Sequence, residues 1–288
     1  MSKKQFAFTL IELLVVIAII GILSGLIVVA MNGTTEKATI AKAQVFSNSL
    51  RNSLMINFVS EWKFNEGSGT TTIDSWKNVT GTLVGASHLP VWKTTDCVYD
   101  NCLQFDSSED YVSASNVNIS DDYSVEAWVK IDSNGGGVTR SLIGLGSTVS
   151  AYPRINIIHS ATTRPLIYLN NSNYRYGTFN CADGKWHHWY FAVPGSGIND
   201  ILNAKIYIDG KEDTYWSSSV GVTPIIPTGN MYIGYASNSL IDNVRIYDSI
   251  MSTSQIKERY YAGTNHLFIN GNISENEYLS RINNIANK

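Results

Sequence analysis

The sequence predicts an all-β domain, an antiparallel sandwich, that follows a long N-terminal helix and precedes short C-terminal helices. Three observations support this order. An uninterrupted apolar stretch runs from Leu13 to Met31. After Val59, about eleven short alternating or aromatic segments follow one another, separated by clusters of Gly, Asn, Asp and Ser. Two helix-capping signals then occur near the C-terminus, at Ser252 and Ser274.

The N-terminal segment has the length and composition of a membrane-spanning helix. The 19 residues from Leu13 to Met31 carry no charge, and as a helix they would extend about 28 Å, which matches a hydrocarbon core. Lys3 and Lys4 precede the stretch and would keep the N-terminus in the cytoplasm. A plain signal anchor and a secretory signal peptide cut near Ala30 both fit this pattern, but neither explains the carboxylate of Glu12.

The residues around Glu12 resemble the processing site of type IV pilins and pseudopilins. The string AFTLIELLVVIAII, which begins at Ala7, carries the resemblance. It implies that a prepilin peptidase removes residues 1–7 as a leader, by cutting between Ala7 and Phe8, and methylates the new amine of Phe8. Ala7 stands where this family usually has Gly, which is the one departure from the motif.

The resemblance also implies a role for Glu12 in filament assembly. Cleavage creates an ammonium group on Phe8 in an apolar setting, and Glu12 of one subunit can lie beside the Phe8 amine of its neighbour. A misregistered subunit would leave one of these charges unpaired, which is costly in an apolar environment. The predicted helix covers residues 8–58, with a membrane span at about 8–31. Its second half has apolar residues at helical spacing, and it either packs against the next domain or forms a solvated stalk.

The next domain, residues 59–264, has the pattern of an antiparallel sandwich. In the segment SVEAWVKI, alternate residues from Val125 to Ile131 are apolar and would face one side of a strand, while Glu126 and Trp128 would face the other. The dipeptide DG between AKIYI and KEDTYW is typical of a two-residue hairpin turn. No helical periodicity occurs between the strand segments.

This domain resembles the laminin-G-like, or concanavalin A-like, jelly roll. The motifs that carry the resemblance are, in chain order, EWKFNEGSGTTTIDS, CLQFDSSEDYVSAS, YSVEAWVKI, GKWHHWYFAV, KIYIDGK and MYIGYASNSLIDNVRIYDS. The resemblance implies one structural Ca²⁺ and no other cofactor. Glu66 and Asp242 are the candidate ligands, because the first and last strands of two-sheet folds commonly lie side by side and Ca²⁺ prefers oxygen ligands.

Two short helices are predicted after the sandwich. Ser252 and Ser274 are each followed, three residues later, by Gln or Glu, which is the capping-box pattern. The first helix would end at Gly263. The second would cover 275–286, within a tail of residues 265–288.

The sequence lacks the carboxylate pattern of a sandwich glycoside hydrolase, and we expect no enzymatic activity. Such enzymes need two acidic residues that flank the scissile bond, as in a Glu-x-Asp pattern on one strand face. Glu109 and Asp110 are adjacent, so their side chains would point to opposite faces. His187 and His188 would diverge for the same reason, and a structural role is the expected one for both.

Aromatic residues beside Asn-rich turns are the candidates for glycan binding. Tyr168, Tyr174, Tyr176 and Trp216 are of this kind, although most aromatic side chains of a sandwich belong to its core.

A domain outside the cytoplasm favours a disulfide between the two closely spaced cysteines, and the charge balance disfavours nucleic-acid binding. Only VYDN separates Cys97 from Cys102, and we expect these two to form a disulfide and Cys181 to remain free. The net charge is −3 and the chain has no long basic run, so nucleic acid is not an expected partner.

Together these features predict a pilin-like subunit of a type IV pilus or related filament that displays a lectin-like head for adhesion or for glycan or protein binding. Its partners would be other pilin subunits, through the N-terminal helix, the prepilin peptidase and, before assembly, the inner membrane. The precursor would be a single-pass bacterial membrane protein with its head outside the cytoplasm, and the product part of a cell-surface filament. Two alternatives stay open: a membrane-anchored or secreted carbohydrate-binding module that does not assemble, and a pseudopilin of type II secretion.

Overall fold

The computed structural model describes residues 11, 14–20, 58–106, 109–119, 122–132, 140–146, 154–159, 163–170, 173–194, 203–218, 228–235 and 237–286. The chain divides into two compact units, Met1–Asn48 and Ser49–Lys288.

The first unit contains the described part of the predicted N-terminal helix. Ile11 and residues 14–20 are helical and exposed. The rest of the helix predicted over 8–58 lies outside the described residues, as do Ala7, Phe8 and Glu12, except that Phe58 begins a strand. Within the described part of the chain, no helix has the length and apolar composition needed to cross a bilayer.

The described part of the second unit is built from short strands followed by two helices. The strands are β1 (Phe58–Trp62), β2 (Thr71–Ile73), β3 (Thr80–Val84), β4 (Val91–Lys93), β5 (Cys102–Phe105), β6 (Tyr111–Asn118), β7 (Tyr123–Ile131), β8 (Arg140–Gly146), β9 (Arg154–His159), β10 (Thr163–Asn170), β11 (Asn173–Gly177), β12 (Trp186–Val193), β13 (Lys205–Ile208), β14 (Lys211–Glu212), β15 (Tyr215–Ser218), β16 (Thr228–Ile233) and β17 (Ser239–Tyr247). The helices are α1 (Thr253–Ile269) and α2 (Glu275–Ala286).

The strands form two antiparallel sheets. Sheet 1 has eight strands in the order β14-β13-β12-β7-β17-β5-β4, with β1 also paired to β17. Sheet 2 has nine strands in the order β15-β11-β10-β9-β8-β16-β6-β3-β2. The first and last strands lie side by side as predicted, with Trp62 of β1 opposite Val244 of β17. The predicted antiparallel sandwich is confirmed.

The main hydrophobic core lies between the two sheets. Val125, Ala127 and Val129 of β7 point into it from sheet 1, and Val112 and Ile143 belong to it from sheet 2. Side chains alternate between the two faces of β7. The prediction that the alternate apolar residues of SVEAWVKI share one face is confirmed, and this face is the one toward the core.

The other face of sheet 1 is buried too, because α1 and α2 pack on it. Trp128 of β7 is 0% exposed, and its ring stacks on that of Tyr260 in α1 at a centroid distance of 5.9 Å. Arg281 of α2 donates a hydrogen bond of 2.8 Å to the carbonyl of Trp186 in β12. A second, smaller core therefore separates sheet 1 from the helices.

The C-terminal helices begin where the caps predict, but the first is longer than expected. α1 follows a complete capping box at Ser252, and α2 covers the predicted residues 275–286. The stop expected at Gly263 is wrong, since α1 continues to Ile269. Gly263 lies against the indole of Trp128, where an added Cβ would overlap the ring, so this glycine serves helix–sheet packing rather than termination.

The hairpin predicted at Asp209-Gly210 is present between β13 and β14. Both residues have positive φ, 53° and 74°, and Ile208 pairs with Lys211 across the turn. These angles match a type I′ turn, which suits the twist of the flanking strands.

Candidate ligand-binding face

Three of the four aromatic residues singled out in the sequence share the outer face of sheet 2. Tyr168 of β10 lies directly opposite Tyr174 of β11, with ring centroids 5.7 Å apart and planes 12° apart. The ring of Tyr176, two residues along β11, is 5.9 Å from that of Tyr174 and again nearly parallel to it. All three side chains are partly exposed. We call the surface formed by Tyr168, Tyr174 and Tyr176 the tyrosine face; its role in binding stays a prediction.

The alternation of β10 and β11 explains why these rings point outwards. Ile167, between the paired positions, belongs to the core, and Arg175 is 2% exposed and donates a hydrogen bond to the carbonyl of Ala204. Successive side chains of a strand point to opposite faces, so the tyrosines lie on the side away from the core. Trp216 of β15 occupies the register position opposite Tyr176.

The tyrosine face continues as a row of residues across the sheet. Tyr174, Tyr168, Arg154, Gly144 and Tyr232 are paired one after another along β11, β10, β9, β8 and β16. Tyr232 is 6% exposed, whereas the rings at the β10–β11 end are more open. Five strands span about 19 Å, and the accessible part of the row is its β10–β11 end. The sequence did not indicate Tyr232, because strand register is a long-range property.

A buried charged layer lies on the opposite side of the domain, between sheet 1 and α1. The carboxylate of Glu126 accepts hydrogen bonds from Arg245 at 3.0 Å, Arg259 at 3.1 Å and Tyr247 at 2.9 Å. Arg245 also donates to Glu61 at 2.9 Å. The two carboxylates are each 1% exposed. This layer connects β1, β7, β17 and α1, and sequence analysis did not anticipate it.

The two carboxylates of this layer are unsuited to glycoside hydrolysis. Burial would raise the pKa of Glu61, but Arg245 and Ser75 outweigh it and lower the pKa to about 2. For Glu126, Arg259 and Arg245 likewise overcome burial and hold the pKa well below its ordinary value. A general acid of a glycosidase needs a raised pKa and access to substrate. Glu126 instead links α1 to sheet 1 through Arg259, and Glu61 links β1 to β17 through Arg245.

The adjacent histidines of β12 diverge, as the strand geometry predicts. Nδ1 of His187 is 2.7 Å from Asp209 and its Nε2 is 3.0 Å from Asp183. Burial opposes protonation of His187, but these carboxylates outweigh it and raise the pKa to about 9. His188 is 0% exposed and its Nε2 lies 3.3 Å from Glu126. Both side chains are held in packed surroundings, which agrees with a structural role.

The predicted disulfide between Cys97 and Cys102 is present, with Cα atoms 5.5 Å apart. Cys181 is a free, buried thiol, and burial together with nearby carboxylates raises its pKa well above the ordinary value. The disulfide closes a loop that leads into β5. A buried thiol with a raised pKa, such as that of Cys181, is unreactive.

The two residues proposed as Ca²⁺ ligands, Glu66 and Asp242, carry carboxylate oxygens, the ligand type that the ion prefers. Asp242 is 0% exposed; its Oδ2 accepts from the Tyr99 amide at 2.9 Å, while its Oδ1 has no hydrogen-bond partner. Burial raises the pKa of Asp242 to about 7. Oε1 of Glu66 accepts from Thr72 and the Ile73 amide at 2.9 and 2.8 Å. An orphaned buried carboxylate oxygen fits a cation ligand, and Ca²⁺ binding stays a prediction.

The described residues also contain a three-residue group of potential metal ligands. His88, Asp106 and Asp110 bring ligand atoms within 4.8 Å of one another. Nε2 of His88 lies 2.6 Å from Asp106, and Asp110 accepts a hydrogen bond from the Asp106 amide. Glu109 is exposed while Asp110 is buried, so the adjacent carboxylates point apart as expected. These contacts account for the grouping without a metal.

Two family models match the chain. A prokaryotic N-terminal methylation motif matches residues 2–28. The model described as concanavalin A-like lectin/glucanases superfamily matches residues 106–257, which is more than half of the chain. No curated protein matches the chain by sequence.

Solved structures with a similar fold include a domain of an arabinanase and a domain of a bacterial toxin. Domain 4 of AbnA, an extracellular GH43 arabinanase from Geobacillus stearothermophilus, solved with arabinotriose, has a TM-score of 0.53 and 19% identity over 70% of this chain and 97% of that domain. The receptor binding domain of botulinum neurotoxin D has a TM-score of 0.54 and 15% identity over 73% of this chain and 54% of the other.

A third match is to botulinum neurotoxin type C, whose cell entry depends on interaction with two ganglioside molecules. Its TM-score is 0.57 and its identity 13%, over 74% of this chain and 52% of the other. This chain thus spans about half the length of the toxin chains. At these identities the likeness concerns the fold alone, a lectin-like jelly roll. Sheet topology, motif order and the family match agree: the chain belongs to the concanavalin A-like lectin/glucanases superfamily and carries a prokaryotic N-terminal methylation motif.

Proposed function

We propose that this protein is a subunit of a type IV pilus or related filament whose jelly-roll head binds glycans on the tyrosine face. The observation that carries the binding proposal is the set of partly exposed, nearly parallel rings of Tyr168, Tyr174 and Tyr176 on the outer face of sheet 2.

The N-terminal motif supports the filament part of the proposal. The match to the methylation motif over residues 2–28 includes Ala7, Phe8 and Glu12. In this proposal the prepilin peptidase cuts before Phe8 in the inner membrane, and the chain then joins other subunits through its N-terminal helix. Pairing of the Phe8 amine with Glu12 of a neighbour would set the register, since an unpaired charge in the filament core is destabilising.

The chemistry of aromatic side chains supports the glycan part. The C–H faces of sugar rings are apolar and pack on aromatic surfaces, while ring hydroxyls keep their contacts with water and polar groups. The AbnA domain was solved with arabinotriose, so this trisaccharide is a reasonable first probe.

The N-terminus of the native protein tests filament processing. Mass spectrometry should find a chain that starts at Phe8 and is about 14 Da heavier than the unmodified sequence, the mass of one methyl group. A start near Met31 would instead indicate a secreted carbohydrate-binding module, and an intact Met1 a membrane-anchored one. Either result would refute the filament proposal.

Isolated surface filaments should contain the protein if it is a pilus subunit rather than a secretion pseudopilin.

A substitution at the centre of the tyrosine face tests glycan binding. Tyr174 contacts both other rings, so Tyr174→Ala should weaken binding of arabinotriose or of a ganglioside headgroup oligosaccharide roughly tenfold. The measurement is calorimetric titration of the full chain in a detergent without a sugar headgroup. Tyr261→Ala, at a partly exposed position of α1, is the matched control. Equal affinities in the two variants would refute a role for this face.

For the cofactor, the proposal includes one Ca²⁺ held by Glu66 and Asp242, whose charge would compensate the buried carboxylate of Asp242. Ca²⁺ should raise the melting temperature of the wild type but not of Asp242→Asn. An equal rise in both proteins, or none in the wild type, would refute this site.

A further inference from the structure

A second candidate site lies where the disulfide loop meets the end of α1. Its residues are distant in sequence from those of the tyrosine face. A cavity of about 340 Å³ opens there beside Cys97 and Tyr99. We call it the loop pocket. Its other described lining residues all carry side-chain oxygen atoms: Thr94, Thr95, Asp96, Asp100, Asn270 and Asn272.

The loop pocket offers hydrogen-bond acceptors rather than charged donors. Asn270 and Asn272 donate their amide N–H groups to backbone carbonyls of the disulfide loop at 2.5 to 3.3 Å. The amide oxygens are therefore the atoms that these two side chains can offer to a ligand. Asp96 and Asp100 add carboxylates; that of Asp96 is paired with the ammonium group of Lys130 at 2.5 Å, and that of Asp100 accepts one side-chain amide N–H at 3.0 Å. A ligand that fits this lining must bring donors of its own.

The wall of the loop pocket is held in place from several sides. The Cys97–Cys102 disulfide closes the loop. The Tyr99 amide donates to Asp242 of β17 at 2.9 Å, and the ring of Tyr99 packs on His266 of α1 with centroids 4.6 Å apart. A site that is already formed loses little conformational entropy when a ligand enters.

We infer that the loop pocket binds a neutral mono- or disaccharide through its hydroxyl groups. Sugar hydroxyls supply several donors at once, which is what an acceptor-lined cavity requires. The volume falls at the lower end of the range for small-molecule sites, roughly 300–1,000 Å³, and exceeds what a bare metal ion occupies. The polar lining disfavours an apolar ligand, and the carboxylate of Asp100 repels an acidic sugar. The site is separate from the tyrosine face and does not depend on the function proposed for it.

Direct titration of simple sugars tests this inference. The full chain, in a detergent without a sugar headgroup, is titrated by calorimetry with D-galactose, D-mannose, D-glucose, L-arabinose and N-acetylneuraminic acid. We expect at least one neutral sugar to bind saturably and the acidic sugar not to bind. Asp100→Asn replaces a carboxylate acceptor by a group that also donates, and should weaken binding by tenfold or more, the effect of about one charged hydrogen bond. Thr95→Val, a smaller change, should weaken it as well.

Matched variants separate this site from the rest of the protein. Asp248→Asn, at an exposed position after β17, should bind like the wild type, and so should Tyr174→Ala, which alters only the tyrosine face. Thermal unfolding confirms that each variant is folded. The inference is refuted if no neutral sugar binds the wild type, or if Asp100→Asn and Asp248→Asn bind equally. It is also refuted if Ca²⁺, and no sugar, binds in a manner that Asp100→Asn abolishes, because the cavity is then a cation site.

Discussion

Single residues of this domain owe their ionisation to burial and to their immediate partners. His187 is the most distinct example, because its two ring nitrogens face the carboxylates of Asp209 and Asp183. Burial disfavours the charged ring, yet the two carboxylates raise its pKa to about 9 from an ordinary value of 6.5. His187 is therefore protonated in the folded protein at neutral pH.

This pairing predicts a loss of stability in alkaline solution. The pKa of His187 is higher in the folded than in the unfolded state, so its protonated ring stabilises the fold. This contribution to the free energy of unfolding is complete below pH 6.5 and is lost as the pH rises through about 9. We expect the free energy of unfolding to fall by roughly 2–3 kcal/mol across that interval. His187→Gln should flatten the dependence in urea unfolding followed by tryptophan fluorescence. The control His266→Gln removes a histidine whose pKa is lowered by burial, and it should keep the wild-type pH dependence. If His187→Gln also keeps the wild-type pH dependence, His187 is not its source.

At the scale of elements, packing decides where α1 ends. The glycine expected to terminate it lies in its interior, against Trp128 of β7. Glycine disfavours a helix by about 1 kcal/mol relative to alanine, so its presence within α1 reflects the close approach of helix and sheet. The Ser252 capping box determines the start of the helix, and tertiary contact determines its continuation.

Gly263→Ala should therefore destabilise the domain although alanine is the better helix former. The added methyl group overlaps the Trp128 indole, and overpacking of this kind costs roughly 1–3 kcal/mol. Thermal unfolding followed by circular dichroism measures the change. Asn283→Ala, at an exposed position of α2, should be neutral or slightly stabilising. An increase in melting temperature for Gly263→Ala would show that α1 does not pack closely on β7.

For the jelly-roll unit as a whole, the charged layer around Glu126 joins α1 to sheet 1. Arg245 comes from β17 and Arg259 from α1, and both donate to the same carboxylate of β7. Because the layer is buried, each charge depends on its partners to offset lost hydration. The layer thus specifies how the helix docks on the sheet.

Loss of the central charge should be far more damaging than loss of a surface charge. Glu126→Gln leaves two buried guanidinium groups short of counter-charge, and removing one partner of a buried pair costs about 3–5 kcal/mol. Glu212→Gln, which breaks the exposed pair with Lys205, should cost at most about 1 kcal/mol. Urea unfolding of both variants measures the difference. Similar free energies of unfolding would mean that the layer contributes little to docking.

Features that depend on near neighbours in the chain can be predicted from the sequence. The Asp209-Gly210 turn and the cap at Ser252 each involve residues within a few positions of one another, so residue type and spacing suffice to predict them. The Cys97–Cys102 disulfide is local too, but its prediction also used the expected location of the domain outside the cytoplasm. The alternation of β7 is local in the same sense. The motif around Phe8 is likewise a continuous string of residues.

Contacts between distant residues become apparent in the folded domain alone. Tyr168 stands opposite Tyr174, and Glu126 meets Arg259, because strand register and helix docking bring separate segments of the chain together. A shift of one residue in register moves every side chain of a strand to the other face, and no local pattern carries that information. Gly263 illustrates the same limit, since its spacing fits a helix stop and its contact with a distant ring gives it another role.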